Sequence, residues 1–510
     1  MSATNRIMKN TGILYIRMGI TVFISLYSTR VILNTLGSDD FGIFNLVAGS
    51  IAMLTFLNTA MASATQRFMS FSQGAQDKNL QREIFNVSTV LHLIIAAAVF
   101  IILEIAGYFL FDYILKIPFD RIETAKLVLQ FMIVSTVFTI ISVPYDAVIN
   151  AHENMFLFAV VSIIEAILKL AIALYLSVST FDKLTTFGFL TAVLSIFVLI
   201  LRKVYCNKMY EECTINLKKY FNKLLFREMF SFAGWSFLGA SSSMFANYGQ
   251  GIVLNMFFGP IVNAAQGISN QVSGQLGGFA GTMLKALNPT IVKSEGAGNR
   301  SLMLKASLVG SKTSFFLLLL FYIPVFIEMP TIFELWLKDI PPYTIIFCRL
   351  LLIRNLLEQF YVTLANSISA VGNIRNFQVI KSVLAVLPLF ISYVLFKYNY
   401  SPFIIYEVFI LYALLDGILT VYFAKIYCNL LISTYIKSVI FPCLIVGFVS
   451  VSLSCLPMVF MQKGILRLST ILFISIVSLI TSIWTWGLDD KEKGIGINLI
   501  NKITIRIINT

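Results

Sequence analysis

Long runs of apolar residues, each interrupted by a few polar or glycine positions, follow one another from Thr11 to Trp486 with little polar chain between them. A helix needs about 20 mostly apolar residues to cross the hydrocarbon core of a bilayer. By that measure the chain offers about fourteen crossings, at 11–36, 41–66, 86–111, 124–149, 155–178, 185–204, 229–257, 261–289, 306–329, 343–368, 377–396, 402–426, 434–457 and 465–487. Of the 510 residues 58% are hydrophobic and only 12% charged, which fixes the class as an all-α polytopic membrane protein. No segment outside the crossings is long enough for a soluble catalytic domain, so an enzyme is not expected. The basic, then apolar, N-terminal stretch has no small-residue cleavage site behind it and is read as a retained first helix.

The longest polar segment, 205–228, divides the chain after the sixth crossing. Its second part has the pattern of an amphipathic helix, with Tyr220, Leu224 and Leu225 opposing Lys218, Lys219 and Lys223, suited to a membrane surface. The two sides of this divider resemble each other. VILN at 31–34 matches IVLN at 252–255, and QGAQDKN at 73–79 matches EGAGNRS at 295–301, both at an offset close to 221–222 residues. A six-helix unit repeated after an even number of crossings gives parallel repeats. The expected organisation is therefore a first lobe at 1–204, a linker at 205–228, a second lobe at 229–430, two additional crossings at 431–487 and a tail at 488–510.

Charge follows topology. Arg6, Lys9, Arg67, Lys78, Arg82, Arg202, Lys203, Lys208, Lys218, Lys219, Lys223, Arg227, Lys285, Lys293, Arg300, Lys305, Lys312, Arg375, Lys381, Lys425, Lys437, Lys491, Lys493, Lys502 and Arg506 fall on one set of loops. Only Arg30, Lys116, Arg121, Lys126, Lys183, Lys338, Lys397, Lys463 and Arg467 fall on the other, a roughly threefold excess that puts both termini in the cytoplasm. The net charge of +13 is thereby assigned to anionic membrane lipids and not to nucleic acid.

Ionisable groups within the crossings are the sharpest chemical signals, since each costs about 2.5–3.5 kcal/mol at a helix centre. Arg17 lies about two turns into the first crossing, with Thr21, Ser25 and Ser28 on its face. Such a stripe either lines a hydrated cavity or lets the arginine snorkel to the interface. The tenth crossing carries Arg354 and Glu358 at i,i+4, and the fifth carries Glu165 and Lys169 in the same arrangement; each pair is a self-compensating unit or a coupling site. Asp146, Glu104 and Asp416 stand isolated in the sequence as candidate proton sites. The seventh and eighth crossings are polar and small, with Asn247 in one and Asn263, Gln266, Asn270, Gly274, Gly277 and Gly281 along one face of the other, suited to close helix contact or to a water-filled path.

There is no phosphate-binding loop, His92 and His152 are far apart, and the six cysteines show no CxxC spacing, so neither direct use of ATP nor a metal centre is expected. No cofactor is expected beyond coupling to a proton or sodium gradient, for which Glu358, Glu165 and Asp146 are the candidates.

RVILNTLGSDDFGIFNLV at 30–47, TQRFMSFSQG at 65–74, the two six-helix halves and the two extra crossings together resemble the bacterial polysaccharide (O-antigen-type) flippases of the multidrug/oligosaccharidyl-lipid/polysaccharide exporter superfamily. The resemblance spans the chain in architecture, and its motifs are specific at superfamily level. It implies two lobes around a central cavity opening alternately to each side of the bacterial inner membrane. It also implies a cationic cavity for the diphosphate of an undecaprenyl-linked oligosaccharide, for which the residues singled out above, Arg17, Thr21, Ser25, Arg354, Asn247, Asn263, Gln266 and Asn270, are the candidate lining. A polysaccharide polymerase and glycosyltransferases would be its partners. Multidrug and toxin extruders and lipid II flippases are the competing readings within the superfamily, and a membrane glycan polymerase or ligase outside it. Extruders of cations commonly use acidic residues in the first lobe, where this chain has Arg17.

Overall fold

A computed structural model describes residues 3–52, 55–109, 119–337, 340–490 and 492–494. Lys116, Lys338, Lys491, Lys502, Arg506 and most of the expected tail lie outside the described residues, as do several side chains of the stretch 30–47. Among the described residues every regular element is helical. Ten helices are long and apolar enough to cross a membrane. The other four expected crossings are helical in their described residues too: 41–66 is helical on both sides of residues 53 and 54, which lie outside the described residues, 229–257 and 261–289 share one very long helix, and 343–368 is broken.

Contacts group the chain into two units. The first comprises Met1–Ser241, Lys285–Met303 and Ile374–Val379, the second Ser242–Leu284, Leu304–Asn373 and Ile380–Thr510.

In the first unit run α1 (Ala3–Ala52), α2 (Thr55–Ala75), α3 (Lys78–Phe109), α4 (Ile122–Ala151), α5 (Met155–Val178), α6 (Lys183–Met209) and the short α7 (Leu217–Tyr220), followed by both ends of α8 (Lys223–Gly296). The α4 helix packs against α6, α3, α2, α1 and α5 and forms the middle of the unit. Val99, Leu103, Leu129, Ile133 and Ile140 close one side of it, and Leu36, Ile43, Val128, Leu184 and Phe187 the other. On α3, Leu91, Val99 and Leu103 are buried while Ile94, Ile101 and Ile105 are exposed. Apolar residues cover both faces because lipid is the solvent on the outer one.

Two helices are bent back on themselves at a single residue. Gly37 in α1 has φ 80°, ψ 170°, and Gly259 in α8 has φ 76°, ψ −171°. That backbone region is essentially restricted to glycine. The two breaks are about 222 residues apart, the offset of the sequence repeat, and Gln76 (φ 56°) and Gly298 (φ 70°) repeat it at the next turn. The legs of α8 fold onto each other around Gly259: the amide oxygens of Gln266 and Asn263 lie against Gly251.

The second unit adds α9 (Arg300–Ile327) from Leu304 on, α10 (Met329–Trp336), α11 (Thr344–Gln359), α12 (Val362–Val371), α13 (Arg375–Lys397) from Ile380 on, α14 (Ile404–Cys428), α15 (Ile432–Tyr435), α16 (Phe441–Cys455), α17 (Pro457–Phe460) and α18 (Ile465–Ser482). Its core joins Leu254, Ala265, Phe347, Phe396, Tyr406 and Phe409. The last hairpin, α16 and α18, is fastened at both ends. Arg467 donates from Nε to Glu328 Oε1 at 2.6 Å and from Nη2 to Oε2 at 3.1 Å, both residues being buried. At the other end Lys312 Nζ meets Glu492 at 2.5 Å.

The amphipathic helix expected in the linker is absent. Between the end of α6 and the start of α8 the segment forms a 3-10 turn at Glu211–Cys213 and the four-residue α7, and the Asn222 side chain then accepts from Leu224 and Leu225 N–H groups, capping α8. This cap ends the pattern, leaving Leu224 exposed and Leu225 buried. The preceding residues dock on the first unit through His152, which stacks on Tyr210 (ring centroids 4.1 Å) and donates from Nε2 to Glu212 Oε1 at 2.6 Å. Burial works to raise the Glu212 pKa, but the hydrogen bond and charge of His152, with Lys78, hold it below the usual carboxylate range.

Candidate functional site

Three elements of the first unit meet at the ring of Phe158. The first turn of α5 carries it, held by the Asn154 cap, whose side chain accepts from Leu157 N–H and donates to the Tyr205 and Tyr210 hydroxyls, each at 3.1 Å. Leu14 of α1, Met155 of α5 and Ala286 of α8 form the apolar floor beneath the ring. Arg17, almost one turn beyond Leu14, stands 5.3 Å from the ring centroid, and Lys285, beside Ala286, brings its ammonium to 3.7 Å. The two charges therefore lie within about 9 Å of each other, comparable to a Debye length.

Neither cation has a carboxylate partner among the described residues. The nearby acid is already engaged: Asp146 of α4 accepts from Arg202 at 2.9 Å, and Arg202 also donates to Ser142 Oγ at 2.9 Å. Asp146 Oδ1 is buried without a partner. Arg17, Lys285 and Arg202 against Asp146 leave the cluster positive. Cation–ring attraction is worth about 0.5–2 kcal/mol and does not neutralise a charge. Such an arrangement is suited to an anion, and a guanidinium with an ammonium matches a polyanion with several oxygens.

Thr21 follows Arg17 on its helix, but its hydroxyl donates back to the Arg17 and Met18 carbonyls, and Ser25 is exposed. The Arg17 guanidinium is the buried group of that stripe left with hydrogen-bonding capacity, its Nε having no partner. Glu165 pairs with Lys169 at 2.8 Å along α5. The other candidates belong to the second unit. Arg354 donates from Nε to Glu358 at 3.0 Å, and its guanidinium lies 4.9 Å from the Phe409 ring. On α8, Gln266 is buried, Asn263 half-buried, and Asn247 and Asn270 exposed.

The acids that stand isolated in the sequence are paired across helices. Asp146 meets Arg202, Asp416 meets Lys381 at 3.0 Å, and Glu104 accepts from Gln130 at 3.0 Å. Arg202 and Lys381 read in the sequence as loop charges, because their partners are distant along the chain. Lys285 and Phe158 were not among the expected site residues. A signal for Lys285 existed: it continues, at i+4 from Gly281, the polar and small stripe of Asn263, Gln266, Asn270, Gly274 and Gly277.

A family model, MatE, matches residues 15–175. No curated protein matches the sequence. Among solved structures, an outward-facing multidrug resistance MATE family transporter of the MOP superfamily superposes with a TM-score of 0.69 at 13% identity, covering 83% of this chain and 95% of its own. A MATE in complex with MaD3S gives 0.69 at 14% identity, over 85% and 96%. A MOP superfamily transporter from Pyrococcus furiosus, described as having a binding pocket of reverse polarity that suggests a different function, gives 0.66 at 14% identity, over 85% and 96%. The chain is thus a multi-pass membrane protein with the fold of the MATE transporters.

Proposed function

We propose that this chain is a transporter of the multidrug/oligosaccharidyl-lipid/polysaccharide exporter superfamily that flips an undecaprenyl-diphosphate-linked oligosaccharide from the cytoplasmic to the periplasmic leaflet, for surface polysaccharide synthesis. The observation that carries this reading is the pair of cations, Arg17 and Lys285, on one aromatic ring, neither of them in an ion pair among the described residues. A diphosphate cannot enter hydrocarbon unaccompanied. Two fixed cations replace its hydration while the prenyl tail stays in lipid. Asp146, which pairs with Arg202 through one oxygen and has the other buried without a partner, is the coupling acid this reading favours over Glu165 and Glu358, each paired with a base one turn away on its own helix. The charge distribution supports an inner-membrane location with both termini cytoplasmic. A polymerase and glycosyltransferases acting on the same lipid would be its partners.

The multidrug-extruder reading has the solved multidrug transporter in its favour. It requires an acid presented to a cationic drug, whereas Asp146 is held by Arg202 beside two further cations. The Pyrococcus furiosus relative supports the view that this fold serves pockets of different polarity. A lipid II flippase would need the same cations, and only the cargo separates it.

The test is the sidedness of lipid-linked glycans in cells lacking this protein, complemented with the parent chain or with Arg17→Gln and Lys285→Gln. Diphosphate-linked oligosaccharide trapped in the cytoplasmic leaflet, and relieved by the parent alone, is the expected result. The same lipid accumulating outside would indicate a polymerase or ligase. No accumulation, with new sensitivity to cationic drugs, would replace the flippase by an extruder.

A further inference from the structure

At the end of the bundle that carries the basic loops, α2 and the last turn of α8 cross with no side chain between their backbones. A Cβ on Gly74 would overlap the Lys293 carbonyl oxygen, and a Cβ on Gly296 would overlap the Phe71 carbonyl oxygen. The contact is reciprocal, and it is made by equivalent residues: Phe71 and Gly74 of one repeat correspond to Lys293 and Gly296 of the other at the same offset of about 222 residues. The crossing is thus a local two-fold contact between the two copies of one helix end.

A side-chain clasp lies beside it. Glu153, buried at the turn between α4 and α5 with φ 56°, accepts from Lys293 Nζ at 3.3 Å and from Thr290 Oγ1 at 3.5 Å. Its own carbonyl accepts from Asn10 Nδ2 at 3.1 Å, which ties α1 into the same knot. These contacts explain why Lys285–Met303 groups with the first unit although the preceding Ser242–Leu284 groups with the second.

We propose that the Gly74–Gly296 crossing, clasped by Glu153–Lys293, is the closed gate on the basic-loop side of the Arg17–Lys285 site. Lys293 is two turns beyond Lys285 on one helix, so the seal lies about 12 Å below the site. Backbone contact of this kind is either made or lost, because any separation that admits cargo removes every atom pair at once. The gate opens when the 285–303 segment leaves α2. The inference rests on the transporter reading but not on the identity of the cargo.

The test is the rate at which a cysteine at the crossing is alkylated, using the full chain in liposomes without cargo. The buried Ser294→Cys is the reporter, read by peptide mass spectrometry so that native cysteines do not interfere. Gly74→Ala and Gly296→Ala, each in the reporter chain, are expected to raise labelling several-fold. Gly281→Ala, where a methyl meets open space, should leave it unchanged. Equal labelling of both crossing variants and the reporter would overturn the gate. If the crossing variants fail to fold, Glu153→Gln decides: it keeps the shape and removes the ion pair, so faster labelling supports the gate and an unchanged rate refutes it. Because no cargo is present, this result is independent of a failure of Arg17→Gln to affect flipping.

Discussion

A polyanion would engage Arg17 and Lys285 together, and removing either would leave part of its charge unmatched. Each alanine substitution is expected to weaken binding of a short-chain prenyl diphosphate about tenfold, the size of one charge-assisted hydrogen bond. The double variant should depart from the product of the singles by severalfold, because both bind one ligand. Calorimetric titration of the purified protein measures this; strict additivity would mean two unrelated charges. At the basic-loop face the pH response comes from Glu212. Its pKa is lower in the fold than in an unfolded chain, so its contribution is complete above the unfolded value of 4.5 and is lost as pH falls through the folded one. Hydrogen exchange in 210–216 should therefore rise in acid below about pH 4.5, and Glu212→Gln should abolish that pH dependence. At this scale the sequence was legible where partners share a helix turn: Arg354–Glu358 and Glu165–Lys169 are paired as their spacing implies. It was silent on Asp146–Arg202 and on Lys285 over Phe158, which only tertiary contact brings together.

The helices owe their boundaries to a few residues with special backbone needs. Gly37 and Gly259 occupy a region that costs other residues about 1–3 kcal/mol. Alanine at either is expected to destabilise the protein by about that amount, although nothing stands within 4 Å of the added methyl. Comparable costs at the two positions, measured by thermal unfolding in detergent, would mark them as equivalent points of one repeated unit. The final hairpin depends on a different device. Glu328→Gln leaves Arg467 buried without a counter-charge, a loss of about 3–5 kcal/mol, and unfolding should begin in α16 and α18. A change below about 1 kcal/mol would show that this ion pair does not hold the hairpin. Apolar run length located the crossings, and short repeats at a fixed offset located the turns at Gly37 and Gly259. Run length could not register the break at Phe360–Tyr361, where hydrophobicity continues through a change of backbone direction. Nor did amphipathic spacing anticipate Asn222, whose cap overrides the pattern around it.

As a whole the chain joins a MATE transporter fold to a cluster of cationic character, and α8 carries both Lys285 of that cluster and the Gly296 crossing. Fold class was readable because a bilayer permits few solutions for so apolar a chain. The cargo was approached only through chemistry, from the sign and number of the charges around Phe158. The most direct measurement is therefore transfer of undecaprenyl-diphosphate oligosaccharide between leaflets of proteoliposomes, followed by protection of the glycan from an added glycosidase. The parent chain is expected to move the lipid and Arg17→Gln with Lys285→Gln is not, while both insert into the liposomes and unfold alike. Equal transfer by the parent and the double variant, or transfer of cationic drugs in place of the lipid, would contradict the flippase reading.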